Sequence, residues 1–123
     1  MSLLNNVVVV AADPTRTRSS FLLQSPAMAD LGFWRLAEAD RDRLALVGPD
    51  GSERTAGELL DRANQIAHGL RALGLETGDT VALLLPNGIE LIETYLGAMQ
   101  IGLYVTPINW HLVGPEVAYI LSD

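Results

Sequence analysis

An α/β architecture, the opening of a doubly wound and mostly parallel sheet, is the fold class this sequence predicts. Three observations carry it. Val81–Leu85 is an apolar run without polar alternation, the pattern of a strand buried on both faces. From Val81 onward strand-like and helix-like segments alternate, as in a βαβ unit with its right-handed crossover. Between Thr55 and Gly74 lies a long amphipathic helix with start and stop signals of its own.

Residues 1–27 differ from the rest. Val7–Val10 suits a short strand, whereas Asp13–Ser20 is polar and aperiodic. Two readings stand side by side: an ordered extension packed on the domain, or a true translation start at Met28 with the first 27 residues an artefact of start-site choice. From Met28 the signals become regular. Leu31, Trp34, Leu36 and Ala39 recur at helical spacing, which predicts a short helix over Ala29–Ala39. Leu44–Val47 and Glu53–Thr55 form a hairpin about Pro49-Asp50-Gly51-Ser52, where proline presets one dihedral and glycine permits positive φ.

Thr55 and Glu58 have the spacing of a capping box, the hydroxyl accepting from the N3 amide while the carboxylate reaches back to the cap. Leu59, Leu60, Ala63, Ile66, Ala67, Leu70 and Leu73 follow on one stripe, and Gly74 stands where a left-handed residue ends a helix. After the Val81–Leu85 strand, Asn87 is placed to cap a second helix with Glu90 three residues on. Ile89, Ile92, Leu96 and Met99 line that helix, and Gly102 ends it. Leu103–Pro107 is a further strand. Gly114-Pro115-Glu116 opens a last helix with proline at its tolerated first position, its apolar side Val117, Ile120 and Leu121. The sequence stops at Asp123 inside this helix, so the expectation is an incomplete domain. An open sheet edge would favour self-association.

Composition narrows the function. The chain has 123 residues, 49% hydrophobic and 19% charged, in the range of a globular domain with a real core. It has no cysteine, which excludes disulfides and thiolate metal sites and fits a cytoplasmic location. The net charge is −7, and all eight Lys and Arg positions are arginine. An acidic surface repels phosphate backbones, so nucleic acid is not an expected partner. Without lysine there is no Schiff base, lysine general base or Walker-type phosphate contact. Val7–Ala12, the longest apolar run near the start, falls far short of the roughly 20 residues that cross a bilayer.

Four blocks from Leu44 to Asp123 resemble the adenylate-forming superfamily, and within it the AMP-forming acyl-CoA synthetases. They are Leu44–Val47 with Asp50-Gly51; Thr55-Ala56-Gly57-Glu58-Leu59 with its helix to Gly74; Gly78-Asp79 through Pro86-Asn87; and Leu96-Gly97-Ala98-Met99-Gln100-Ile101-Gly102 on to Pro107-Ile108-Asn109. The order and spacing of the blocks, over about two thirds of the chain, carry the resemblance. Two positions depart from it: Ala56 replaces a frequent aromatic, and Gln100 a frequent lysine. The resemblance implies residues 28–123 to be the amino-terminal part of an AMP-dependent synthetase large domain. It implies ATP, magnesium and coenzyme A for a full-length parent, which forms an acyl-adenylate from a fatty or related carboxylic acid and then an acyl-CoA. The phosphate loop, adenine-binding region and lysines of such enzymes have no counterpart in these 123 residues, so the segment alone is expected to be inactive and to work with the remainder of the ligase. The rival expectation is a stand-alone, non-catalytic α/β module that binds a partner through its sheet edge.

Among single residues, His111 corresponds to a position where resembling ligases often carry an arginine. The resemblance implies a coenzyme A phosphate contact for a protonated His111, with Trp110 offering a stacking face; loop packing without a ligand is the other reading. His68, with no second ligand at helical spacing, reads as a solvent-facing or packing residue. Glu90 reads as a capping residue and Glu93 as a solvated one. No serine, histidine and acid constellation is present, and no catalytic or metal-ligating residue is assigned.

Overall fold

The computed structural model of the chain describes Val7–Val8 and residues 32–122. Among these residues nine elements follow one another: β1 (Val7–Val8), α1 (Phe33–Ala39), β2 (Leu44–Val47), β3 (Glu53–Thr55), α2 (Ala56–Ala72), β4 (Thr80–Leu83), α3 (Ile89–Gln100), β5 (Tyr104–Pro107) and α4 (Gly114–Ser122). Val9, Val10 and the Ala29–Leu31 start of the expected first helix lie outside the described residues. The α/β class holds, but the sheet is mixed. β4 pairs in parallel with β5 and antiparallel with β1, giving the order β1-β4-β5. The antiparallel partner comes from far away in sequence: Val7–Val10 suits a strand, but no local pattern announces its pairing with β4.

β4 is buried on both sides, as its unbroken apolar run requires. Successive side chains of a strand face opposite ways. Val81 and Leu83 pack with Ile66, Ala67 and Leu70 of α2 and Ala98 of α3. Ala82 turns to the other face and packs with Ile108 and with Val117 of α4. The strand is therefore the middle of three layers. α1 lies outside them, its Ala37 against Ala56 and Leu60 of α2. The face differs from the expected one: Leu36 and Ala39 are exposed, and Phe33, Trp34 and Ala37 make the contact.

The capping signals of α2 are met in full. Thr55 Oγ1 accepts from Glu58 N at 3.2 Å, and Thr55 N donates to Glu58 Oε2 at 2.9 Å. At its far end Leu75 N donates to Leu70 O and Gly74 N to Arg71 O, with Gly74 at φ +90°, a Schellman closure. α3 ends the same way: Leu103 N donates to Ala98 O and Gly102 N to Met99 O, with Gly102 at φ +76°. The starts of the later helices differ from expectation. Gly88, not Asn87, is the N-cap of α3, and no side chain caps it. α4 begins at Gly114, one residue ahead of Pro115, and Glu116 Oε2 accepts from Val113 N at 3.0 Å.

The buried face of α3 is the larger correction. Ile89, Glu93, Thr94, Gly97 and Ala98 are buried, while Ile92 and Met99 are exposed. Gly97 explains the phase. A Cβ there would stand 2.8 Å from Ala63 O and 2.8 Å from Ile66 Cγ2, so α2 and α3 cross where only glycine fits. Leu73 and Ile120, assigned to apolar stripes by their spacing, are likewise exposed.

Candidate functional site

The parallel pair β4–β5 sets the direction of the molecule. At its start, Gly78 N donates to Gly102 O, Tyr104 N to Asp79 O and Thr77 Oγ1 to Ile101 O, which ties the two strand entries together. At the carboxyl end, Ile108 N donates to Leu83 O at 2.8 Å, and beyond that bond the chains separate. Crevices at the carboxyl ends of parallel strands are the usual ligand sites of open α/β sheets.

Here the crevice is an open hollow of about 310 Å³ lined by Leu85, Asn87, Leu91, Pro107, Ile108, Asn109, Trp110 and His111. Its apolar floor comes from the strand ends and α3, and its rim carries two carboxamides, an indole and an imidazole. Asn109 shapes that rim: its Oδ1 accepts from His111 N at 3.0 Å, and its carbonyl accepts from Leu112 N at 3.1 Å. The turn brings the rings of Trp110 and His111 to a centroid separation of 3.8 Å with 35° between planes. Both side chains are exposed. The two residues singled out in the sequence thus stand together on the crevice rim, available to an anionic or flat ligand.

A second hollow of about 350 Å³ adjoins the first through Asn87 and is lined by Pro49, Asp50, Ser52, Arg54, Gly88, Ile89 and Glu90 as well. Ser52 donates to Asp50 Oδ1 from both Oγ, at 2.6 Å, and its backbone N, at 3.0 Å. The hydroxyl bond and then the amide bond hold the Asp50 carboxyl below the usual carboxylate range. Behind this hollow lies Glu93, expected to be solvated and found buried, 2% exposed. Arg54 Nε stands 3.4 Å from its Oε1 and Arg62 Nε 3.6 Å from its Oε2. Burial of this carboxylate is possible because two guanidiniums flank it. Glu90 lies on the hollow's wall, and its carbonyl accepts from Thr94 Oγ1.

His68 is exposed on α2 and lines neither hollow. Among the described residues no group of three or more His, Cys, Asp or Glu side chains could hold a metal ion, and no helix is long and apolar enough to cross a membrane. Sequence reasoning missed Asn87 as a wall shared by both hollows, and Glu93 as the buried partner of two arginines. The spacing of Glu93 from Ile89 and Gly97 was its one available signal.

Comparison with known proteins agrees with this geometry. The family model described as AMP-binding enzyme matches residues 33–123. The long-chain-fatty-acid–CoA ligase FadD13 of Mycobacterium tuberculosis is 44% identical over 80 residues, covering 64% of this chain and 16% of the relative. Feruloyl-CoA synthase of Amycolatopsis is 37% identical over 94 residues, covering 76% and 19%. The chain therefore spans less than a fifth of the length of these curated relatives. In three dimensions it superposes on the N-terminal domain of FACL13 from M. tuberculosis with a TM-score of 0.68 and 39% identity, covering 74% of this chain and 24% of that one. Apo MatB from Rhodopseudomonas palustris gives 0.67 and 31%, covering 74% and 18%.

Proposed function

The chain belongs to the AMP-binding enzyme family, corresponding to the amino-terminal part of such enzymes, and from that premise we propose that it is the amino-terminal segment of an ATP-dependent acyl-CoA ligase acting on a fatty acid or a related carboxylic acid in the cytoplasm. The observation that carries the proposal is the continuous match of the family model over residues 33–123, on a fold whose strand-end crevice is open to solvent. In this reading the segment is scaffold and rim, and the reacting groups are supplied by the rest of the ligase. The described residues include no lysine and no metal-holding cluster, so ATP and magnesium are not assigned to them.

Coenzyme A fits better. Its nucleotide end offers a flat adenine and phosphate oxygens, and the rim offers an exposed imidazole tilted against an indole beside two carboxamides. A protonated His111 would donate to a phosphate oxygen, and Trp110 would keep the imidazole presented to it. Coenzyme A supplies the thiol that accepts the acyl group; these two side chains would bind and orient it at a distance from that chemistry.

The test is a chimera in which residues 33–123 replace the matching segment of the M. tuberculosis ligase. Acyl-CoA formation is expected to persist, and its complete loss in a folded chimera would overturn the proposal. Within an active chimera, His111→Ala is expected to raise the KM for coenzyme A about tenfold, the worth of one charge-assisted hydrogen bond. His111→Arg should restore it, and ATP–pyrophosphate exchange should be unchanged by either. An unaltered KM in His111→Ala removes the coenzyme A role while leaving the ligase reading intact.

A further inference from the structure

We propose that Asn87-Gly88 is a self-modification site, where the Gly88 amide closes on the Asn87 side chain and turns the carboxamide shared by both hollows into a carboxylate that disfavours an anionic ligand. The conversion rests on local chemistry alone; the anionic ligand is the coenzyme A of the ligase reading.

The reaction consumes only water. Gly88 N attacks Asn87 Cγ, the new N–Cγ bond closes a succinimide ring, and the Cγ–Nδ2 bond breaks. The side-chain nitrogen leaves as ammonia with the amide proton. Water then opens the ring at either carbonyl, giving aspartate or isoaspartate. Ring closure needs an unhindered nucleophile, an amide not held by a hydrogen bond, and a side chain free to turn onto it. Asn87 meets all of these. It is exposed in the loop between β4 and α3. Glycine follows it, so no Cβ crowds the attacking nitrogen. Among the described residues neither the Asn87 carboxamide nor Gly88 N has a hydrogen-bond partner. The cap expected of Asn87 is not made, which leaves its side chain uncommitted.

Other residues supply the contrast. Asn64 lies within α2, accepts from Gln100 Nε2 and precedes Gln65. Asn109 Oδ1 accepts from His111 N, and the bulky Trp110 follows it. Asp50-Gly51 has residue types prone to the same closure, but Gly51 N donates to Gly48 O at 3.0 Å, and Asp50 Oδ1 accepts from Ser52 Oγ and N. Those Ser52 bonds keep the Asp50 carboxyl ionised, and a carboxylate is a poor electrophile. The fold silences one such pair and leaves the other open.

Position gives the conversion its effect. A carboxylate at position 87 joins Asp50 and Glu90 beside the second hollow. Arg54, on the same wall, is already engaged by Glu93 and by the Glu53 carbonyl. After Arg71 the sequence carries no arginine or lysine. Coenzyme A phosphates at the rim would meet added negative charge with little to offset it.

The experiment keeps the full 123-residue chain in warm neutral buffer and follows its peptides by mass and by chromatographic retention. Synthetic peptides copying residues 84–91 and 47–54 are the unfolded references. Asn87 is expected to gain the amide-to-acid mass at a rate within severalfold of its reference, while Asn64 and Asn109 stay intact. Asp50-Gly51 should isomerise about tenfold or more slower than its own reference, because its bonds must first open. Gly88→Ala should slow conversion at Asn87 by a similar factor; the added Cβ meets only Glu90 Oε2, the free end of a flexible side chain, and φ −179° suits any residue. In an active chimera, Asn87→Asp should raise the KM for coenzyme A severalfold above Asn87→Ser, and added salt should narrow that gap. An Asn87 that stays intact while its reference peptide converts overturns the proposal, as do equal KM values in Asn87→Asp and Asn87→Ser. A chimera that forms no acyl-CoA tells against the ligase reading instead, and the conversion measured in the 123-residue chain is independent of it.

Discussion

Glu93 is the residue at which local sequence and folded environment disagree most. A glutamate on an amphipathic helix reads as solvated, and its two partners, Arg54 and Arg62, come from β3 and α2. Only the crossing of those elements brings the three together. The carboxylate is buried while the arginine side chains remain 37% and 33% exposed, so the two sides of the cluster are not equivalent. Glu93→Met frees two cations that reach water, and its expected cost in urea denaturation is below about 1.5 kcal/mol. The double substitution Arg54→Met, Arg62→Met strands a buried anion and should cost about 3–5 kcal/mol. Asp50 behaves differently because it lies at the surface. Its carboxyl titrates below the ordinary value, so the stability it contributes is present above about pH 4 and is lost as pH falls through the depressed value. Ser52→Ala removes the leading cause, so the Asp50 carboxyl carbon should titrate nearer the ordinary carboxylate range by NMR, with the residue-52 amide bond still holding it below. Gln100 accounts for one departure from the family pattern: its Oε1 accepts from Trp34 Nε1 at 3.1 Å while its Nε2 donates to Asn64 Oδ1. A lysine has three donors and no acceptor, and could not make the bond to Trp34.

At the scale of elements, legibility followed the distance between the partners of each signal. The capping box of α2 and the Schellman ends at Gly74 and Gly102 join residues a few positions apart, and they were readable from type and spacing. The face of α3 was not. Its most apolar residues suggested an inward stripe of Ile92 and Met99, but tight helix crossings select for small side chains, and Gly97 decides the contact with α2. Gly97→Ala should therefore destabilise the chain by about 1–3 kcal/mol through overpacking, measured by urea denaturation. Met99→Ala, at an exposed position of the same helix, should change stability by less than about 0.5 kcal/mol. The opposite ranking would restore the stripe first read from the sequence.

For the molecule as a whole, the α/β class and the βαβ unit were legible because β4 is apolar throughout and its neighbours are well punctuated. The mixed sheet was not, since β1 pairs across most of an intervening domain's length of sequence. Of the candidate site, Trp110 and His111 were singled out through the family resemblance, and their role there is a proposal, while the hollow they border arises only when β4, α3 and the loop after β5 converge. The isolated 123 residues hold no lysine, and purified chain is expected to catalyse no ATP–pyrophosphate exchange with any carboxylic acid; exchange above background would contradict the division of labour proposed above. The cross-ties at the strand entries have a consequence for how such a protein diverges. With Gly78 bonded to Gly102, Thr77 to Ile101 and Tyr104 to Asp79, the alignment of the central strands is anchored at one pole. Loops at the opposite pole are then free to change length and chemistry without disturbing that anchorage, so a new cargo preference can evolve by rewriting one end of the molecule.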